Sequence, residues 1–307
     1  MAGDAPVGLF VGLTTMDVLH RTARPPAPNE KVTATRQDIA AGGPAANAAV
    51  TFAALGGRPR LLTGLGASAP AVVAGEDLRR HGVAVVDAAA PDYPLAVSAV
   101  VVVESTGERS VVSPDAGLAE VPAPDDVDLD GVTVVLLDGH HPALARATLA
   151  ALDVHDARGT HGPTPGQPAR PVVVLDCGRW RPVFDELLPV ADVAALSADF
   201  RVPGVDGGPA ETARAVLARG ARAVVITDGG HPVRWWAAGT SGSHAVGQVP
   251  VRDTLGAGDA FHGGLAAALA RGQDLPTAVA LAAEIAGRRV ASVGPREWLT
   301  DVPRWWP

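Results

Sequence analysis

The chain predicts an α/β fold: a three-layer α/β/α sandwich with a mostly parallel central sheet and a small β-lid. Three observations carry the prediction. Short β-branched runs alternate with alanine-rich stretches along most of the 307 residues. Glycine-rich turns stand where strands give way to helices, at 42–43 and 256–258. Two segments, 31–39 and 96–113, break the alternation and read as antiparallel strands with no helix between them.

Strands are expected at 8–13, 60–63, 132–138, 171–176, 193–196 and 223–227, each a short apolar run bounded by turn residues. Helices are expected at 44–55, 75–81, 143–152, 183–188 and 209–218. Such alternation argues for parallel strands covered by helices, joined by right-handed crossovers. Residues 31–39 alternate like a half-exposed strand, and 96–104 with 108–113 read as a hairpin around Ser105-Thr106-Gly107. The expectation is one domain, 1–307, with a lid inserted from about 14–40 and 92–115. A plain edge hairpin on the main sheet is the alternative. Residues 155–171, rich in Gly, Pro and Thr, read as a surface loop with His155 and His161 exposed.

Composition removes several functions. Net charge is −8 without a basic block, which argues against nucleic acid as a partner. The single cysteine, Cys177, excludes an internal disulfide, follows an apolar run as a buried inert thiol would, and fits a reducing cytoplasm. Apolar runs such as 96–103 fall far short of the roughly 20 residues of a spanning helix, and no secretory pattern stands at the start. Lys31 is the only lysine, so no Walker-type phosphate loop exists.

The segment Arg252-Asp-Thr-Leu-Gly-Ala-Gly-Asp-Ala-Phe-His-Gly-Gly264 is the most informative. A glycine turn running into a helix presents unpaired N–H groups and the positive end of the dipole to an anion. Asp259 at that helix start would repel phosphate, unless it takes a proton from a hydroxyl that attacks a phosphoryl group. A carboxylate that merely favours the dipole is the plainer alternative. A second cluster, Ala41-Gly-Gly-Pro-Ala-Ala-Asn47, places two backbone amides and a carboxamide where they can bind hydroxyls; a tight turn and helix start is its structural alternative. Asp17 follows the first strand, at the end of the sheet where α/β proteins bind ligands, and could hold two sugar hydroxyls. Asp138-Gly-His-His-Pro142, Asp176-Cys-Gly-Arg-Trp-Arg181 and Thr227-Asp-Gly-Gly230 end later strands. His140 is a candidate for substrate contact or for helix capping, the arginines suit an anionic group, and Thr227 with Gly229 suits nucleotide phosphate or a plain turn.

Together these residues resemble the ribokinase-like, or PfkB, carbohydrate kinases, across nearly the whole chain. Asp253–Asp259 looks like that family's C-terminal signature, and Gly42-Gly43 with Asn47 its N-terminal one. Asp253–Asp259 and Glu284-Ile-Ala-Gly-Arg-Arg289 look most like the ketohexokinase branch. The resemblance implies an ATP-dependent kinase acting on a sugar or related polyol. Asp259 would be the general base, and the N–H groups of Gly256, Ala257 and Gly258 an anion hole. Asp17, Gly42, Gly43 and Asn47 would bind the acceptor, with His140 beside them. Thr227, Gly229, Thr254, Gly256 and Gly258 would meet ATP. It further implies Mg2+, a K+-type monovalent cation near Asp253 and Leu255 (with Ala291 and Gly294), and a homodimer paired through the lid. A nucleoside kinase and a non-catalytic nucleotide- or sugar-binding regulator are the alternatives. Only Tyr93 lies near the lid to clamp a base, which argues mildly against a nucleoside. There are departures. Ser197-Ala-Asp-Phe200 stands where the family has Asn-x-x-Glu, leaving Asp199 for magnesium. Thr15 replaces an asparagine, Pro232 a glycine, and Ala67–Pro70 two glycines of a turn.

Overall fold

The computed structural model describes residues 5–157 and 170–305. Most of the loop expected over 155–171, with His161, lies outside the described residues. The main sheet has nine strands. Seven are parallel neighbours: β1 (Val7–Val11), β4 (Arg58–Thr63), β5 (Ala84–Asp87), β8 (Val132–Leu137), β9 (Val172–Cys177), β10 (Val193–Ser197) and β11 (Ala223–Asp228). An antiparallel hairpin, β12 (His231–Ala237) and β13 (Thr240–His244), completes one edge. The order is β13-β12-β11-β10-β9-β8-β1-β4-β5, so the chain moves one way from β1 and then returns to build outward from β8. β8, buried at every position, is a continuous apolar run, as a strand covered on both faces must be.

The helices are α1 (Pro44–Ala54), α2 (Ala69–Arg80), α3 (Pro142–Ala157), α4 (Phe184–Leu187), α5 (Pro209–Leu217), α6 (Ala257–Ala270) and α7 (Leu275–Val290). Right-handed crossovers running in opposite directions from the β1/β8 junction place α1 and α2 on one face and α3 to α5 on the other. α6 lies between α1 and α7 on the α1 face. Its Gly263-Gly264 pair makes this possible. A Cβ on Gly263 would lie 2.5 Å from the Ala48 carbonyl oxygen of α1, and one on Gly264 3.2 Å from Ala282 Cα of α7.

A second sheet of four strands stands apart, in the order β3-β2-β6-β7. It comprises β2 (Thr15–Thr22), β3 (Arg36–Gly42), β6 (Val97–Val103) and β7 (Arg109–Val112). The hairpin read from 96–113 therefore pairs with β2, not with the edge of the main sheet. Its inner face buries Leu19, Val100 and Val102 against Leu255. A cross-strand row of Ile39, Val18, Ala99 and Val112 faces outward.

Several expectations shift. The strand expected over 31–39 begins at Arg36. α2 begins at Ala69 rather than 75, because Ser68 caps it by accepting the Ala71 N–H and Pro70 fits its first turn. β2, β5, β12 and β13 were not foreseen as strands. Among the described residues, no helix is long and apolar enough to cross a membrane.

The Gly263 contact yields a prediction. Gly263→Ala should lower stability by about 1–3 kcal/mol in denaturant unfolding, because its methyl group forces α1 and α6 apart. A gain of about 1 kcal/mol, as helix propensity alone would give, would remove the packing explanation.

Candidate active site

The chain reverses direction across the sheet at β1 and β8, and the space beyond the carboxyl ends of such strands is where open α/β sheets bind ligands. Two helix amino termini serve that space, and they are treated differently. At α1 the protein supplies its own anion. Asp138, buried after β8, accepts from the N–H groups of Leu13 (2.8 Å), Ala45 in the first turn of α1 (3.2 Å) and His140 (2.9 Å). Against its burial, the nearby His140 ring and these N–H groups hold its carboxyl well below the usual carboxylate range.

At α6 no side chain caps the helix. Gly256 turns the chain in with φ +70°, a left-handed conformation natural to glycine. Gly258 has open space at its Cα, so a ligand can approach the backbone there, while the Ala257 N–H makes a long bond of 3.4 Å to the Thr254 carbonyl. Asp259 sits in the first turn, half-buried. Its Oδ2 accepts from Asn47 Nδ2 of α1 at 2.8 Å. The Asn47 amide is itself held from behind. Its Oδ1 accepts from Arg296 (3.1 Å), which donates to the Ala41 carbonyl (2.7 Å) and pairs with Asp77 of α2 (3.0 Å). Asn47 thus serves first to orient Asp259, with both ends of its amide engaged.

Beneath Asp259, one turn further along α6, His262 Nδ1 lies 2.8 Å from Asp176 Oδ2 at the end of β9, both side chains buried. Burial, and then the Asp176 charge, push the Asp259 carboxyl up to about 6, against the pull of Asn47, His262 and Arg109. Against its own burial, the His262 imidazole is raised by Asp176.

The other expected residues have these places. Asp17 on β2 accepts from Thr15 Oγ1 at 2.7 Å, and Gly42 fits against its carboxylate, where a Cβ would lie 2.2 Å away. Burial raises its carboxyl, against the Thr15 and Ser98 hydroxyls. Gly43 turns into α1 with φ +96°. The departure at Thr15 is therefore a hydrogen-bond partner for Asp17. Asp17, Asn47, Gly256, Arg289 and Arg296 line a small cavity of about 20 Å³, with room for about one water. The tip of the four-stranded sheet rests on the glycine turn. The Gly107 carbonyl accepts from Thr254 N (3.1 Å) and Thr254 Oγ1 (3.0 Å), and Arg109 reaches the same hydroxyl (3.2 Å).

Thr227 Oγ1 donates to the Leu196 carbonyl at 3.3 Å, and Gly229 is exposed in the β11–β12 turn. Pro232 lies in β12. Asp199 is exposed just beyond β10. Its single carboxylate fits a magnesium ion that keeps waters and substrate phosphates as further ligands. No cluster of three or more metal-ligating side chains occurs among the described residues. A monovalent cation does not fit at Asp253: its oxygens are engaged by Arg289 Nη2 (3.1 Å) and the Leu255 N–H (3.0 Å), so a guanidinium already neutralises it.

Comparison with known proteins decides the lineage. The model of the pfkB family of carbohydrate kinases matches residues 9–301. The chain belongs to that family. It is 25% identical over 298 residues to mouse (Mus musculus) ketohexokinase, covering 93% of this chain and 96% of that one. A candidate ribokinase from Agrobacterium tumefaciens superposes with a TM-score of 0.80 at 26% identity, over 98% of this chain and 95% of that one. The Arabidopsis thaliana ribokinase complexed with ribose and ATP gives 0.70 at 19% identity, over 99% and 96%.

In this pfkB-family kinase, a phosphotransferase by lineage, the structure adds residues that sequence reading missed. Arg296, Asp77, His262, Arg289 and Arg109 belong to no quoted role, and Asp138 and Asp176 were noted only as strand ends. His262 had one available signal, a polar residue on a helix made, Asp259 apart, of Gly, Ala, Leu and Phe. The carboxyl of Asp259 should titrate near pH 6 in a carbon-detected NMR titration, and Asp176→Asn should lower that midpoint by removing a nearby negative charge. A midpoint unchanged or raised in Asp176→Asn would contradict the assigned cause.

Proposed function

We propose that this protein transfers the γ-phosphoryl group of ATP to a hydroxyl of a sugar or related polyol, with Asp259 as the general base. The observation that carries it is the contrast between the two helix termini: α1 is filled by Asp138, while α6 is uncapped and holds a carboxylate of raised pKa, aimed by Asn47. An uncapped terminus offers N–H donors to the equatorial phosphoryl oxygens, and the carboxylate takes the attacking hydroxyl's proton. As the oxygen–phosphorus bond forms, ADP leaves and the proton ends on Asp259. A carboxylate lifted to about 6 is still ionised at neutral pH and is a better proton acceptor than an ordinary one.

Gly256, Ala257 and Gly258 form the anion hole, and Arg109 adds positive charge from the four-stranded sheet, which we take as the lid. Asp17, Gly42 and Gly43 hold acceptor hydroxyls, with His140 at the far side. Thr227, Gly229 and Thr254 meet the nucleotide. Asp199 would hold the magnesium that accompanies ATP, which when bound would supply positive charge to the phosphates. The cavity at Asp17 is too small for a sugar, so entry requires the lid to lift from the Gly107–Thr254 contacts. The single buried cysteine supports a reducing cytoplasm as the compartment.

Asp259→Asn should fold normally and lose at least about 10²-fold in turnover, measured by coupled ADP release over a panel of sugars, sugar phosphates and nucleosides. Near-wild-type turnover by that variant with the best acceptor would remove Asp259 from the role.

We also propose a second copy of the chain as the cover for the outer face of the lid. Ile39 (51% exposed), Val97 (39%) and Val112 (76%) are unusually exposed there for apolar strand residues. Light scattering at micromolar concentration should give a dimer mass, reduced to a monomer by Val112→Glu. A monomer mass for the unaltered chain would exclude this pairing.

A further inference from the structure

We infer that the pocket between the ends of β8 and β9 and the lid holds an anionic group, so that the acceptor carries a carboxylate or phosphate remote from its reacting hydroxyl. This rests on the phosphoryl-transfer function proposed above. The pocket has a volume of about 400 Å³, within the range of small-molecule sites. Its walls include His140, Arg146, Arg181 and the segment 114–117 that follows β7.

Arg181 makes no ion pair among the described residues. Its Nη2 donates to His140 Nε2, and His140 Nδ1 lies 3.1 Å from Asp138 Oδ1. Accepting at Nε2 fixes the ring as the tautomer with its proton on Nδ1, facing Asp138. Arg181 Nε is buried without a partner. Arg146, by contrast, is paired with Glu186, and Asp115, which also lines the pocket, is exposed to water. The molecule thus holds a half-buried guanidinium, steered by a histidine, with no carboxylate in direct contact with it among the described residues. Such a group is stabilised by an anion that meets its planar fork, whereas a neutral sugar leaves it uncompensated.

The pocket is also tied to the reacting end. Asp138 joins His140 to the Ala45 N–H in the first turn of α1, the turn from which Asn47 reaches Asp259. In the site inferred here, one polyol presents a hydroxyl to Asp259 and its charged end to Arg181.

Two matched acceptor pairs test this by coupled ADP release: fructose with fructose 6-phosphate, and glucose with gluconate. At least one anionic member should exceed its neutral partner about tenfold or more in kcat/KM, and which one identifies phosphate or carboxylate. Arg181→Gln should cut that preference by about tenfold or more, chiefly through KM. Calorimetric binding of fructose 6-phosphate and gluconate to wild type and Arg181→Gln separates binding from turnover. Binding lost in the variant, without turnover in either, would support the pocket while refuting the kinase function. Neutral acceptors preferred in both pairs, equal loss for both members in Arg181→Gln, or no binding of either anion would overturn the anionic site.

Discussion

The close approach of α1 and α6 is the constraint on which the rest of the site depends. With no side chain at Gly263, the Ala48 carbonyl lies where a Cβ would otherwise be. Only at that separation can Asn47 of α1 donate to Asp259 of α6 at 2.8 Å. A hydrogen bond to a charged group contributes about 1.5–3 kcal/mol, and here it also fixes the direction of the carboxylate. The small-residue composition that makes the chain alanine-rich is thus a condition of the proposed chemistry as well as of packing.

Charge is arranged with the same economy. With a net charge of −8 and one lysine, the protein handles anions through backbone amides and a few arginines. Two of those arginines are spent inward: Arg296 on Asp77 and Arg289 on Asp253. Paired, with Arg289 buried and Arg296 half-buried, they act as scaffolding for Asn47 and for the glycine turn. Breaking such a buried pair on one side leaves the other charge stranded, so both bear on the stability of the site as well as its shape.

The framework of the fold was legible in the sequence, and so were the two glycine turns that bring together the residues proposed for catalysis. Parallel strands buried on both faces, such as β8, β9 and β11, are apolar runs that need no context. The glycine turns marked α1 and α6 because backbone geometry restricts what can stand there. Less visible was β2, Thr-Met-Asp-Val-Leu-His-Arg-Thr, whose polar residues are buried within the four-stranded sheet, Asp17 against Gly42, rather than in the main core. The strands β12 and β13 carry Trp235, Trp236 and a run of Ser and Gly, which resemble loop composition until they pair. Arg296 was illegible for a different reason. Its importance lies in partners at Ala41, Asn47 and Asp77, and no local pattern encodes contacts across so much chain.

That last contact has a consequence for how the molecule comes into being. Arg296 and Asn47 are separated by 249 residues. While a nascent chain is still being made, the sheet and α1 can assemble, but the amide that aims Asp259 has nothing behind it. The Arg296–Asn47–Asp259 arrangement is therefore completed late in synthesis, in the step that docks the segment after α7. Contacts of such long sequence separation form slowly, and here the slow contact is the one that backs the Asn47–Asp259 hydrogen bond.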